Sequence, residues 1–240
     1  MIKLRLKFTK NGPIRFIGHL DLQRYFQKAI RRADIDIKYS EGYSPHQVIS
    51  FAQPLSVGAT SDGEYMDMQL NSMVSPEDVM NRLNEVMNEG VEILDITELP
   101  EGAPKAMTAV AAAEYVVRFR EGKEPSFNIK EKLEEYYAQE TLPAIKKTKS
   151  GEKEIDMKPF IYKLEVDEDN NIHMLLGAGS VNNIKVAMVI ENFLKHFDEE
   201  LQEFGIIIHR IDTYTEGDDE KGHYSEPFIC RDPEKRVYIA

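Results

Sequence analysis

Apolar and polar residues alternate strictly at the start of the chain. Ile2, Leu4, Leu6 and Phe8 interleave with Lys3, Arg5, Lys7 and Thr9. A period of two predicts a strand with four apolar side chains on one face and three cations on the other. The break Asn11-Gly12-Pro13 ends it. From His19 to Asp34 the period changes: Leu22, Phe26, Ala29, Ile30 and Ala33 recur at helical spacing, while Arg24, Lys28, Arg31 and Arg32 gather on another face. Ile35–Tyr39 reads as a short strand. Residues 40–61 are rich in Ser, Gly and Pro, with one apolar run at Val48–Phe51. Glu64–Leu70 predicts a strand. Ser75 followed by Pro76, Glu77 and Asp78 has the chemistry of a helix start, and Gly90 of its stop. Val91–Leu99 predicts another strand.

This order, β-α-β-β-α-β, is that of a split βαβ or ferredoxin-like unit spanning residues 1–100. Residues 101–113 read as a linker. A second α+β series follows over 114–215: strand Glu114–Arg120, helix Asn128–Gln139, strands near Ile145–Lys149 and Glu154–Met157, hairpin strands Phe160–Val166 and Ile172–Leu176, helix Val186–Phe197 and strand Gly205–Tyr214. The expected fold class is therefore α+β, two ferredoxin-like units, the second a degenerate copy of the first. Residues 216–240 read as an acidic, mobile tail, within which Arg236–Ile239 has the pattern of a docking strand.

Composition sharpens this picture at three points. No apolar run approaches the ~20 residues of a membrane span, and Lys and Arg interrupt the apolar residues of the first ten positions, so no signal-peptide core is visible. A cytoplasmic protein without membrane contact is the expectation. The single cysteine, Cys230, excludes an internal disulfide and a self-contained iron–sulfur cluster, so the chain cannot itself be a radical-SAM enzyme. No cofactor is called for. The net charge of −12 hides an asymmetry: residues 1–60 hold ten Lys/Arg against four acids, net +6, leaving −18 on the rest. Segregation of this kind is expected where one face meets an anion.

Chemistry-bearing side chains concentrate over residues 15–64. The anion-binding candidates are Lys3, Arg5, Lys7, Arg15, Arg24, Arg31 and Arg32, with Tyr39, Ser40 and Tyr43 as pocket and stacking residues, since sheet-based RNA binders pair cations with exposed aromatic faces. His19 and His46, with Asp21, are candidates for general acid–base chemistry in metal-independent RNA cleavage or transfer. His19, Asp21, His46 and Glu64 lack any tight metal-ligand spacing, so no metal site is assigned. The Lys-rich stretch 146–153 predicts a basic hairpin tip.

The ordered run Arg15-Phe16-Ile17-Gly18-His19-Leu20-Asp21-Leu22, then Arg24, Ala29–Ala33, Tyr39–His46 and Ile49–Leu55, resembles the radical-SAM-linked protein family, whose domain also occurs fused behind cobalamin-binding radical-SAM proteins. The Gly151–Asp156 and Gly177–Ile184 runs extend the resemblance over most of residues 1–215. Gly18 stands where that family usually shows Ser, Tyr43 where it shows Phe and Ser44 where it shows Asn. The resemblance implies a separate radical-SAM protein as partner, and RNA as the expected ligand. On this reading the chain is an accessory RNA- or anion-binding protein. The alternatives are an RNA-processing enzyme using His19 and His46, or a docking scaffold for the partner.

Overall fold

The computed structural model describes residues 2–148, 151–180 and 182–239. In chain order the elements are β1 (Ile2–Lys10), α1 (His19–Arg32), β2 (Ile49–Phe51), β3 (Thr60–Leu70), α2 (Pro76–Val86), β4 (Ile93–Glu98), α3 (Ala106–Ala109), β5 (Ala112–Phe119), α4 (Ile129–Tyr137), β6 (Pro143–Thr148), β7 (Gly151–Asp156), β8 (Ile161–Val166), β9 (Ile172–Gly177), α5 (Val186–His196), β10 (Ile206–Asp219), β11 (Gly222–Pro227) and β12 (Val237–Tyr238). The class is α+β. The chain forms two compact units, one of Met1–Val110 with Arg210–Ala240 and one of Ala111–His209.

In the first unit β1 lies between β3 and β4, antiparallel to both. The predicted alternation of β1 is realised: Leu4, Leu6 and Phe8 are fully buried against Phe26 and Ile30 of α1 and Val79 and Leu83 of α2. Phe8 meets Phe26 edge-on with ring centroids 4.7 Å apart, a favoured aromatic geometry. α1 starts at His19 as expected, with Gly18 at its N-cap and no side chain capping it. Gly18 has extended backbone (φ −75°, ψ 170°), and a Cβ there would meet nothing within 4 Å. Gly18→Ser is therefore expected to stabilise the protein by a few tenths of a kcal/mol through a new N-cap bond, a small rise in Tm on thermal unfolding; a fall would show that the cap is not formed. At α2 the predicted start holds in detail: the Ser75 hydroxyl accepts from the Asp78 N–H at 3.1 Å and Pro76 opens the helix.

Two expectations are corrected in this unit. Ile35–Tyr39 is not a named strand. It is reduced to isolated bridges, Ile37 to Leu70 and Tyr39 to Gln47, because α1 ends at Arg32 and the chain must turn at Asp34, whose φ is +52°. The division of the chain also differs. Residues 210–240 belong to the first unit, whereas the sequence pattern closes the second unit at 215 and leaves a separate tail. The reason is that β10 lies beside β3, where Arg210 meets Glu64 at 2.8 Å and the Thr213 hydroxyl donates to the Gly63 carbonyl at 2.9 Å. Asp218 meets His223 at 3.0 Å, and Arg236 meets Asp219 at 3.4 Å and Glu226 at 2.7 Å, so the acidic stretch folds on its own cations as the β10–β11 hairpin with β12 beside it.

The Asp218 carboxylate raises the His223 pKa from its ordinary value, first through its hydrogen bond, with Glu216 adding to the field. A raised folded-state pKa means that the stabilisation is complete below the unfolded value of about 6.5 and is lost as pH rises through the folded value. The expected NMR titration midpoint of His223 lies above about 6.5 and returns toward it in Asp218→Asn; a midpoint unmoved by that substitution would rule the pairing out in solution.

The second unit pairs β5 with β9 and β9 with β8, all antiparallel, and adds the β6–β7 hairpin. Tyr136 of α4 and Phe193 of α5 are buried and meet edge-on at 5.5 Å. Asn128 caps α4, accepting from the Glu131 N–H at 3.2 Å. The predicted basic hairpin tip at Lys149-Ser150 lies outside the described residues. Lys146, at the base of that hairpin, donates to the Asn183 carbonyl at 3.0 Å.

Candidate functional site

The three cations on the outer face of β1 do not form an open basic surface. Arg5 stands opposite Asp67 in the β1–β3 register. Its Nε and Nη2 donate to the two carboxylate oxygens at 2.7 and 3.0 Å, Nη2 also donates to the Pro104 carbonyl at 3.0 Å, and the guanidinium lies 4.7 Å over the Phe228 ring. Arg5 is only 6% exposed. Lys7 donates to Asp212 Oδ2 at 2.5 Å. The other oxygen of Asp212 accepts from the Tyr65 hydroxyl at 2.7 Å and the Thr213 N–H at 2.9 Å. Burial and the Asp212 charge push the Tyr65 phenol far up, so it stays protonated and donates. Of this strand's anion-binding candidates, Arg5 and Lys7 are thus committed to internal carboxylates. Lys3 is not.

A second buried charge group lies at the far end of β1 and was not among the predicted anion binders. Arg210 Nη1 donates to Glu64 Oε1 at 2.8 Å, with both side chains at most 5% exposed. Lys10 is 1% exposed, and its ammonium donates to the Ile17 carbonyl at 3.1 Å and the Arg15 carbonyl at 3.5 Å. Burial pushes the Lys10 pKa down, while the Glu64 carboxylate opposes that shift and Arg210 reinforces it. The Arg15 carbonyl accepts as well from the Gly58 N–H at 2.8 Å. This network therefore fixes the backbone of the Arg15–Gly18 run and ties it to the 52–59 loop. Charged residues inside otherwise apolar strands were the available signal: Lys10 after Phe8, Glu64 beside Tyr65, and Arg210 and Asp212 within Ile206–Tyr214.

The cations of α1 behave differently. Arg24, Lys28, Arg31 and Arg32 are exposed. Arg24 makes an exposed pair with Asp21 at 3.1 Å, of the kind worth little. Arg32 donates to the Val86 carbonyl at 2.9 Å. Arg15 stacks 4.7 Å over the ring of Phe16, which is itself 62% exposed.

Against α1 lies the loop that carries Tyr39, Ser40, Tyr43 and His46. Buried Gln47 donates to the Gln27 carbonyl of the helix at 3.3 Å, and Tyr39 bridges Gln47. Ser40 and His46 close the loop three times. Ser40 N–H donates to the His46 carbonyl at 2.8 Å, His46 N–H donates to Ser40 Oγ at 3.1 Å, and that oxygen lies 2.9 Å from His46 Nδ1. The closed loop holds Tyr43 fully exposed at its tip. Tyr39, 45% exposed, shares with Arg31 an open depression of about 440 Å³ that also includes Asp34 and Asp36.

The acid–base candidates have separate surroundings. His19 packs edge-on against Phe51 with centroids 5.4 Å apart, whereas His46 serves the 40–46 loop. Among the described residues the two imidazoles share no hydrogen bond or ring contact, and Asp21 faces Arg24. Glu64 is held by Arg210, and no group of three or more metal-ligating side chains is assembled among the described residues. Among the described residues no helix is long and apolar enough to cross a membrane.

Residues 3–186 match the sequence profile of a family described as an uncharacterised protein conserved in bacteria (DUF2344). The match ends within α5, so it includes Lys10 and Glu64 but not Arg210 or Asp212. No curated protein matches the chain.

Proposed function

We propose that this chain, which belongs to that uncharacterised bacterial family, is an accessory RNA- or anion-binding protein that works beside a separate radical-SAM enzyme, with α1 and the 39–46 loop as its binding surface. The observation that carries the reading is the row of exposed cations Arg24, Lys28, Arg31 and Arg32 on α1, with Tyr39 and Tyr43 exposed on the adjoining closed loop; Asp34 and Asp36 share the depression between Arg31 and Tyr39, so phosphates are met along the helix rather than in it. Cations meet phosphates and aromatic faces stack bases, which is how single-stranded RNA is held without strict sequence readout. The internal pairing of Arg5 and Lys7 narrows the surface to α1, Arg15 and the two tyrosines. The radical-SAM partner rests on the resemblance of the Arg15–Leu22 and Tyr39–Leu55 runs. The same reading treats the two units as ferredoxin-like, supported in the first by the strand order β4-β1-β3 with α1 and α2 packed on the β1 core face.

The test is binding of the full chain to total small RNA across a salt series, beside an Arg24→Ala/Arg31→Ala/Arg32→Ala variant. Single-stranded contacts contribute a slope in log K against log salt of about −0.7 per phosphate, so loss of three should flatten it by roughly 2. Tyr43→Ala should weaken binding by about 1–3 kcal/mol if a base stacks there. Absence of binding at low salt would remove the RNA reading. Retained turnover on RNA, abolished by His46→Ala with binding intact, would favour the enzymatic alternative.

A further inference from the structure

A second concavity lies in the first unit, away from the α1 surface, on the face of β1 opposite the helices. It is about 240 Å³ in volume. Val48, Leu99, Pro104 and Met107 line it with apolar atoms, and Lys3 and Lys105 stand at its margin. Asp67 also lines it, but its carboxylate is already matched: Arg5 binds both oxygens and the Ala106 N–H donates to Oδ2 at 2.7 Å. The lysines have no such match. Arg5 and Lys7 on the same face of β1 each found a carboxylate, whereas among the described residues neither Lys3 nor Lys105 makes a side-chain hydrogen bond or ion pair. With Asp67 and Arg5 cancelling, the margin carries two uncompensated positive charges beside an apolar interior.

Binding sites for small molecules are mostly apolar with a few placed polar groups. This volume falls below the ~300 Å³ at which drug-sized sites begin and above the ~150 Å³ cavity that holds benzene. We propose that the pocket binds a small amphipathic anion: an apolar body about the size of one ring, seated between Val48, Leu99 and Met107, with a carboxylate or phosphate met by Lys3 and Lys105. This site is independent of the RNA surface on α1 and stands or falls separately from it.

The exposed wall methionine, Met107, reports directly on occupancy, and core Met68, whose side chain lies on the other face of the sheet, is the internal reference. The full chain, labelled with ¹³C at the methionine methyls, is titrated with benzoate, phenyl phosphate, uridine 5′-monophosphate and, as a neutral control, benzyl alcohol. The expected result is a saturable shift of the Met107 methyl with at least one anion, with the Met68 methyl moving much less. The dissociation constant should be on the order of 0.1–1 mM, as suits a ligand this small, and benzyl alcohol should bind at least tenfold more weakly. Comparison of benzoate with the two phosphates identifies the head group. Lys3→Ala and Lys105→Glu should each weaken binding about tenfold or more; Lys105 is exposed, so its variant tests the charge without disturbing the core. No saturable shift with any of the three anions, equal binding of benzyl alcohol, or unchanged affinity in both lysine variants would each overturn the proposal.

Discussion

Glu64→Gln is expected to cost about 3–5 kcal/mol of stability, because it leaves a buried guanidinium without its anion. The substitution keeps shape and volume and removes only charge. Arg210 then retains a full positive charge at 3% side-chain exposure, and Lys10, whose protonated form burial already disfavours, loses the carboxylate that opposes that shift. Urea unfolding followed by circular dichroism measures the effect as a lower midpoint at unchanged slope. The paired variant Glu64→Leu/Arg210→Met should recover much of the loss, since replacing both members of a buried pair by apolar groups is often close to neutral. A cost below about 1 kcal/mol for Glu64→Gln would mean that water reaches the pair and the network is not closed. The consequence reaches the motif loop. With Lys10 less firmly charged, its grip on the Arg15 and Ile17 carbonyls weakens, so amide exchange at Gly58, which donates to the Arg15 carbonyl, should speed up even where the protein remains folded.

Gly63→Ala should be of comparable severity for a steric reason. A Cβ at Gly63 would stand 2.3 Å from Asp212 Cα and 2.6 Å from the Ile211 carbonyl oxygen, where carbon atoms need about 3.5–4.0 Å. The atoms in the way are backbone of the neighbouring strand β10, so no side chain can rotate aside. The strands must part, and the Thr213 hydroxyl bond to the Gly63 carbonyl at 2.9 Å and the contacts of Asp212 with Lys7 and Tyr65 go with them. The expected loss is about 3 kcal/mol or more, at or beyond the upper range for overpacked cores. Gly18→Ala is the matching control, since nothing lies within 4 Å of a Cβ there. A near-neutral Gly63→Ala would show that β3 and β10 lie farther apart in solution.

Local pattern was enough for most elements and insufficient for the site. The strand β1, the helix α1 with its stripe Leu22, Phe26, Ala29 and Ile30, and the Ser75 cap were legible because each depends on residues a few positions apart. The fate of Arg5 and Lys7 was not. Alternation placed them correctly on the face away from the core, but whether that face is open depends on Asp67, 62 positions away from Arg5, and on Asp212, 205 positions away from Lys7. No periodicity encodes such a pairing. The same limit applied to the acidic stretch after Glu216, whose composition reads as tail only while its partners His223 and Arg236 are counted separately. The concentration of chemistry-bearing side chains over residues 15–64 was legible in the sequence. The internal order of that segment, with Ser40 and His46 closing one loop and His19 resting on Phe51, depends on contacts between elements that no local pattern encodes.

The first unit is interrupted in sequence: its strands β1 and β3 are made early, and Arg210 and Asp212 follow only after the whole of 111–209 has been made. At translation speeds of about 5–20 residues per second, Glu64 waits roughly 7–29 s and Lys7 roughly 10–41 s on the ribosome for their partners. During that interval the nascent unit carries charges that its finished interior cannot tolerate unpaired. Residues 1–110 made alone are therefore expected to stay loosely and reversibly folded until the later strand arrives.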